Sequence, residues 1–269
     1  MKKVCCIGTS HIGAMKGGWD EMAAQWPGVK ITFFGAPNLH SNEESLKHLA
    51  LQGRKIVPVD RDVMRYYRLT SGGETDIEVD AYDAFIVLGG LGLLQPFNLY
   101  SLYRTDEQYH DDENLLISSD CLVEALAELF RTTYAYRLTT ALYQLTRKPV
   151  FLVPDPRPSA GLLVSEGSSI QAWDVYIQLI KKLRARGDHV AEAKYYQAAF
   201  HAIRQPGVAI VDGPADVVVD GLFTPHEFCR ESVWLQNERF ETTRDDDFFH
   251  MNNRYGSRVL SEILTRGNI

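Results

Sequence analysis

The chain has 269 residues, with 28 Lys and Arg against 35 Asp and Glu for a formal net charge of −7, and is 45% hydrophobic and 23% charged. That composition supports a sizeable core and excludes whole-chain disorder, and an acidic balance without any block of Lys or Arg argues against a nucleic-acid binder. No apolar run approaches the roughly 18 residues of a membrane span, and behind Lys2 and Lys3 the apolar stretch is only Val4 to Ile7, too short for a secretory signal, so a cytoplasmic setting is expected.

In chain order, Val4-Cys5-Cys6-Ile7 is a continuous apolar run ended by Gly8, as expected of a strand buried on both faces. Apolar residues at helical spacing follow from Ile12 to Gln25, until Pro27-Gly28 stops them. Val29 to Phe34 reads as a second strand, halted by Gly35 and Pro37. Ser41 and Glu44 are placed as a capping box for a short helix within the charged stretch Ser41 to Arg54. Ala84 to Leu88 is a third buried strand, ending in Gly89-Gly90-Leu91-Gly92.

An irregular, aromatic-rich segment runs from Leu93 to Ser119 and leads into one long amphipathic helix, Asp120 to Thr146. Val150 to Val153 is a fourth strand, closed by Pro154, Pro156 and Pro158. Ser168 to Arg204 holds one or two helices, broken near Gly187. Val208 to Val211 is a fifth strand, and a helix from Arg254 to Thr265 follows a loop-rich stretch. Strands alternating with helices predict a mainly parallel five-stranded sheet with helices on both faces, a three-layer α/β/α architecture. No repeat or linker divides the chain, so one domain over residues 1–269 is expected, with loop insertions near 93–119 and 212–247.

Ligands of an open parallel sheet bind beyond the carboxyl ends of its strands, which directs attention to the glycine-marked strand ends. Ser10 stands between the first strand and the helix after it, on a tight turn with the positive end of the helix dipole behind it. That position suits a nucleophile or an anion site, and also a simple helix N-cap. Near the other end of the chain, Asp247 and His250 are three residues apart. In a tight turn a carboxylate so placed accepts from imidazole Nδ1–H and leaves Nε2 free to take a serine's proton. The competing interpretation makes Asp245 to Asp247 an acidic turn that caps the last helix.

Gly-x-Ser after the first strand, Gly35 after the second, a glycine-rich turn after the third and Asp-x-x-His before the last helix together resemble the SGNH (GDSL-like) hydrolase superfamily. The segments Gly8-Thr9-Ser10-His11-Ile12-Gly13-Ala14 and His250-Met251-Asn252-Asn253-Arg254-Tyr255-Gly256 are similar to a bacterial branch associated with polysaccharide loci. The resemblance implies a flavodoxin-like fold, Ser10 as nucleophile, His250 as general base and acid, and Asp247 as the group orienting His250. It also implies an oxyanion hole built in part from the backbone amides of Ser10 and Gly35. The implied substrate is a small O-acyl ester of a carbohydrate, O-acetyl in the first instance, with no cofactor and no metal. Transfer of the acyl group to a sugar, or a degenerate domain that binds glycan or a partner protein, are the alternatives.

The sequence departs from the family pattern at two places. Thr9 replaces the Asp of Gly-Asp-Ser, and Gly89-Gly90-Leu91-Gly92 lacks the Asn whose amide completes the oxyanion hole. The Gly90 N–H is a candidate replacement, since glycine lets main chain approach a ligand closely, as are Asn38 and Asn98 from neighbouring loops. His11, Tyr103, Arg104, Tyr109 and Arg230 are candidate substrate contacts, and Trp173 or Trp234 is a candidate surface for stacking on a sugar ring. A dinucleotide site is disfavoured, because His11 fills the slot of the middle glycine and the second strand ends in Phe33-Phe34-Gly35 with no acidic residue. No Cys or His pair has metal-site spacing, and all four cysteines are expected to be small buried hydrophobes.

Overall fold

The computed structural model describes residues 1–37, 46–92, 94–108, 114–168, 171–242 and 246–269. Its elements in order are β1 (Lys2–Gly8), α1 (Ile12–Met22), β2 (Val29–Gly35), β3 (Leu49–Gln52), β4 (Lys55–Pro58), α2 (Arg61–Ser71), β5 (Ile77–Glu78) and β6 (Ala84–Leu88). Then come α3 (Leu94–Leu102), β7 (Tyr103–Arg104), β8 (Leu115–Leu116), α4 (Ser119–Thr132), α5 (Tyr134–Thr146), β9 (Val150–Val153), α6 (Gln171–Ala185), α7 (His189–Ala202) and β10 (Val208–Ile210). A hairpin of β11 (Val233–Gln236) and β12 (Arg239–Thr242) precedes α8 (Asn253–Arg266).

The five strands read from the apolar runs form one wholly parallel sheet in the order β10-β9-β6-β1-β2. Their burial explains why they read as unbroken apolar runs: Val4, Cys5, Cys6 and Ile7, like Phe85, Ile86 and Val87, have no solvent exposure. The fold is three-layered α/β/α and flavodoxin-like. Helix α1 packs on α8, while α2 lies against β2 and α5 against β6 and β9. Right-handed crossovers put these two groups on opposite faces. The chain leaves β1 toward β2 and returns to β6 on the other side of β1, so the carboxyl ends of β1 and β6 flank the point where strand order reverses.

Several local expectations are corrected. The described part of the charged stretch Ser41 to Arg54, where a short helix is expected, is not helical: Leu49–Gln52 pairs with Lys55–Pro58 as antiparallel β3 and β4. Its capping box lies outside the described residues. The long helix breaks at Thr133, which is extended (φ −64°, ψ 147°) and caps α5 through a hydroxyl that accepts from the Tyr136 N–H. The segment after Leu93 contains α3, and the one after Asp212 contains the β11–β12 hairpin. Cys5, Cys6 and Cys229 are buried as expected, but Cys121 is exposed on α4. Among the described residues, no helix is long and apolar enough to cross a membrane.

Candidate active site

Beyond β1 the chain turns directly into α1, with Thr9 and Ser10 carbonyls accepting from the Ile12 and Gly13 N–H groups. The helix starts without any side-chain cap, so neither Thr9 nor Ser10 serves as one. The Ser10 hydroxyl points away, to His250 Nε2 at 2.9 Å. On the opposite edge of the His250 ring, Nδ1 is 2.9 Å from Asp247 Oδ2. A carboxylate is an acceptor only, so Nδ1 carries the proton and Nε2 accepts from Ser10. Both Asp247 and His250 are buried.

Asp247 is itself fixed by the main chain. Its Oδ1 accepts from the N–H groups of Phe249 and His250, each at 3.0 Å, which closes the turn and places ring and carboxylate side by side. Burial pushes the Asp247 carboxyl up, but the adjacent His250 and the bonds from His250 and both amides outweigh it and hold it below the usual carboxylate value. The last helix takes its cap elsewhere: Asn252 Oδ1 accepts from the Tyr255 N–H. Asp247 therefore serves the imidazole and not the helix.

Close packing of α1 on α8 brings the two halves of this relay together. A Cβ on Gly18 would stand 2.4 Å from the Ser257 nitrogen, and one on Gly256 1.9 Å from the Ala14 carbonyl oxygen, so both helices need glycine at their contact. The Ser257 hydroxyl donates to the Gly18 carbonyl across the same contact at 3.1 Å. Since α1 begins just after Ser10 and α8 just after His250, the spacing of the helices sets the spacing of the side chains.

His11 joins the cluster. Its ring lies 4.8 Å from that of His250 and its Nε2 is 3.6 Å from Asp155 Oδ1. Burial, reinforced by His250, keeps it neutral by pushing it down to about 3, with Asp247 acting the other way. Trp234 on the β11–β12 hairpin stands edge-on to His250 with ring centroids 5.1 Å apart, and Trp173 on α6 lies 6.0 Å away. Both indoles are half-buried.

Other expected contributors are placed differently. The Gly35 N–H, expected as an oxyanion donor, is given to Thr70 Oγ1 at 3.0 Å. The Gly90 N–H is likewise engaged, by Asp155 Oδ1 at 3.2 Å. Arg104, expected as a substrate contact, is instead buried, only 1% exposed, over the face of Tyr100 at 3.7 Å and with its guanidinium on the Tyr103 carbonyl at 2.7 Å. Tyr103 pairs with Leu115 in β7 and β8. Asn98 is exposed on α3, lining a separate cavity of about 570 Å³ with Tyr176 and Lys182. Arg230 is exposed ahead of β11. Asn38 and Tyr109 lie outside the described residues. Asp155 is the residue that sequence reasoning missed. The signal was available, because it is a lone polar residue between two prolines just beyond the carboxyl end of a buried parallel strand.

No group of three or more His, Cys, Asp or Glu among the described residues is arranged to hold a metal ion. No family model and no curated protein matches the chain. Among solved structures it is similar to a DUF4886 family protein from Bacteroides uniformis, with 12% identity, TM-score 0.41 and coverage of 98% of this chain and 83% of that one. It is also similar to the periplasmic domain of the lipopolysaccharide acetyltransferase of Salmonella ser. Paratyphi A, with 8% identity, TM-score 0.41 and coverage of 99% and 84%. Likeness this weak carries no conclusion. Sheet order and layering match the flavodoxin-like description shared by SGNH hydrolases, a fold compatible with hydrolase or acyltransferase chemistry.

Proposed function

We propose that the protein is a cytoplasmic serine esterase of SGNH type that removes a small O-acyl group, acetyl in the first instance, from a carbohydrate. The observation that supports this reading is the unbroken relay from Ser10 through His250 to Asp247, with both links at 2.9 Å. In the first half-reaction Ser10 Oγ bonds to the ester carbonyl carbon. Its proton passes to His250 Nε2, and the carbonyl π pair moves onto oxygen. Collapse of this intermediate breaks the bond to the sugar oxygen, which takes the proton from His250 and leaves an acyl-serine. Water then repeats the sequence and restores Ser10; a sugar hydroxyl in its place turns hydrolysis into transfer. Asp247 stays ionised throughout, holding the tautomer and stabilising the imidazolium.

The half-buried Trp173 and Trp234 beside His250 support a carbohydrate substrate, since an indole offers a broad apolar face next to a polar site. The two motif segments around Ser10 and His250 support placing the chain in the bacterial branch associated with polysaccharide loci. The decisive test is a fluorophosphonate probe with peptide mapping. Wild-type protein should be labelled at Ser10 and Ser10→Ala should not. Labelling that persists in Ser10→Ala, or that never appears on folded protein, overturns the assignment.

A second reading, a glycan- or partner-binding domain without catalysis, is favoured by the engagement of the Gly35 and Gly90 amides. It predicts measurable saccharide affinity with no turnover of p-nitrophenyl acetate above a denatured control.

A further inference from the structure

Two residues beyond the ends of three neighbouring strands stand Ser10, Gly90 and Asp155. The register puts Gly8 of β1 beside Leu88 of β6, and Leu88 beside Val153 of β9, so these three positions follow side by side along the sheet's carboxyl edge. The glycine turn between the outer two is shaped around the Asp155 carboxyl group. A Cβ on Gly89 would stand 2.9 Å from Asp155 Oδ1, and one on Gly92 2.8 Å from Oδ2. Gly89 and Gly90 have φ of +94° and +78°, a conformation that side-chain-bearing residues rarely adopt. The glycines expected to present main chain to a ligand instead make room for an acid.

That acid faces the relay. Its Oδ1 lies 3.6 Å from His11 Nε2, and the His11 ring lies against that of His250. The same Gly89 Cβ would stand 2.8 Å from Thr9 Oγ1, a buried hydroxyl without a hydrogen-bond partner among the described residues. The acid is not sealed off, because its side chain is 24% exposed. Burial raises its pKa to about 6, against the opposing pull of the Gly90 N–H and His250. The ionisable groups around it are His11 on the β1–α1 turn, His250, Tyr196 on α7 and Tyr255 on α8. On its own segment is Arg157, which is spent on Asp212 at 2.5 Å.

We propose that Asp155, as the neutral acid, donates a hydrogen bond to the oxyanion that forms when Ser10 attacks. The inference rests on the serine-esterase reading. With the Gly35 and Gly90 amides engaged, that oxygen needs another donor, and a carboxylate in the same place would repel the developing charge. A carboxylic acid kept protonated by its surroundings can fill the role. Its O–H shortens toward the oxygen as charge builds and no bond of Asp155 breaks; the only proton transferred is the one from Ser10 to His250.

Asp155 donates only when protonated, so it contributes a falling limb that begins at about pH 6, with activity lost above it. The experiment is the pH dependence of kcat/KM on p-nitrophenyl acetate, with fluorophosphonate labelling of Ser10 in parallel, for wild type and Asp155→Asn. Wild type should lose about tenfold per pH unit above the transition. Asparagine cannot ionise, keeps an acceptor for Gly90 and donates through Nδ2, so the variant should lose the falling limb and exceed wild type at pH 8. Superimposable profiles, or a wild-type rate that stays flat between pH 6 and 8, overturn the role of Asp155 and leave the esterase reading intact. Absence of both labelling and turnover in wild type overturns both.

Discussion

Gly256→Ala places one methyl group in the contact between α1 and α8, and its consequences follow from three distances. The new Cβ would stand 1.9 Å from the Ala14 carbonyl oxygen, 2.5 Å from its carbon and 2.9 Å from the Met15 nitrogen. All three are main-chain atoms within a helix, so no rotamer change relieves the overlap. Ordinary contact begins at 3.4 Å, which requires the helices to separate by about 1.5 Å. Overpacking of this kind costs about 1–3 kcal/mol. Because Ser10 and His250 sit at the entrances of these helices, their 2.9 Å bond stretches beyond hydrogen-bond reach, and a misplacement of about 1 Å lowers rates on the order of 100-fold. Urea unfolding measures the first effect and the rate of fluorophosphonate labelling the second. Gly28→Ala is the control, since nothing lies within 4 Å of a Cβ there; it should change stability by no more than about 0.5 kcal/mol. A Gly256→Ala protein that unfolds at the wild-type urea concentration and labels at the wild-type rate would refute the idea that this helix contact sets the Ser10–His250 distance.

Further outcomes are expected at three other positions. Asp247→Asn should slow labelling on the order of 10⁴-fold by releasing the His250 tautomer. Because the Asp247 pKa is held below its usual 3.8, its contribution to stability is present above that value and is lost as pH falls through the lower folded value; acid unfolding monitored by tryptophan fluorescence should show this part of the limb missing in the variant. Arg104→Ala should lower stability in urea by about 3 kcal/mol, since it removes a buried cation facing Glu192, yet leave KM for ester substrates unchanged; a raised KM at wild-type stability would restore Arg104 as a substrate contact. In a thiol titration of the native protein Cys121 should react first and alone, because burial shields Cys5, Cys6 and Cys229 and raises their pKa.

What the sequence made legible has a common physical origin. A parallel strand buried on both faces must be apolar throughout and must end where the chain turns, so Val4 to Ile7, Ala84 to Leu88 and Val150 to Val153 announce themselves. The residues just past those ends, Ser10 among them, are where side chains from distant segments converge. Asp247 and His250 were legible because three-residue spacing in a turn is a local property. Arg104 was not, for nothing local tells a loop arginine from one stacked on Tyr100 beneath a helix. The engagement of the Gly35 amide was equally hidden, since it depends on Thr70 of α2. That helix itself was overlooked although its signals are present: Asp60 accepts from the Asp62 N–H at its start and Gly72 ends it with φ +78°. The break at Thr133 illustrates the opposite difficulty, because an apolar period can run straight through an N-cap threonine and present two helices as one.

The relay also has a history within each molecule. Ser10 and His250 are 240 residues apart, so at synthesis rates of roughly 5–20 residues per second the nucleophile leaves the ribosome tens of seconds before its base. For that interval β1 and α1 carry a serine with no partner to deprotonate it. The side of α1 that holds Ala14, Gly18 and Met22 meanwhile waits for the helix that will cover it. On the proposed reading a nascent chain therefore cannot attack acyl groups around it, and a product cut short before His250 stays inert. The proposed reactivity would then arrive with the same docking event that buries the waiting face, making completion of the fold and the start of chemistry one step.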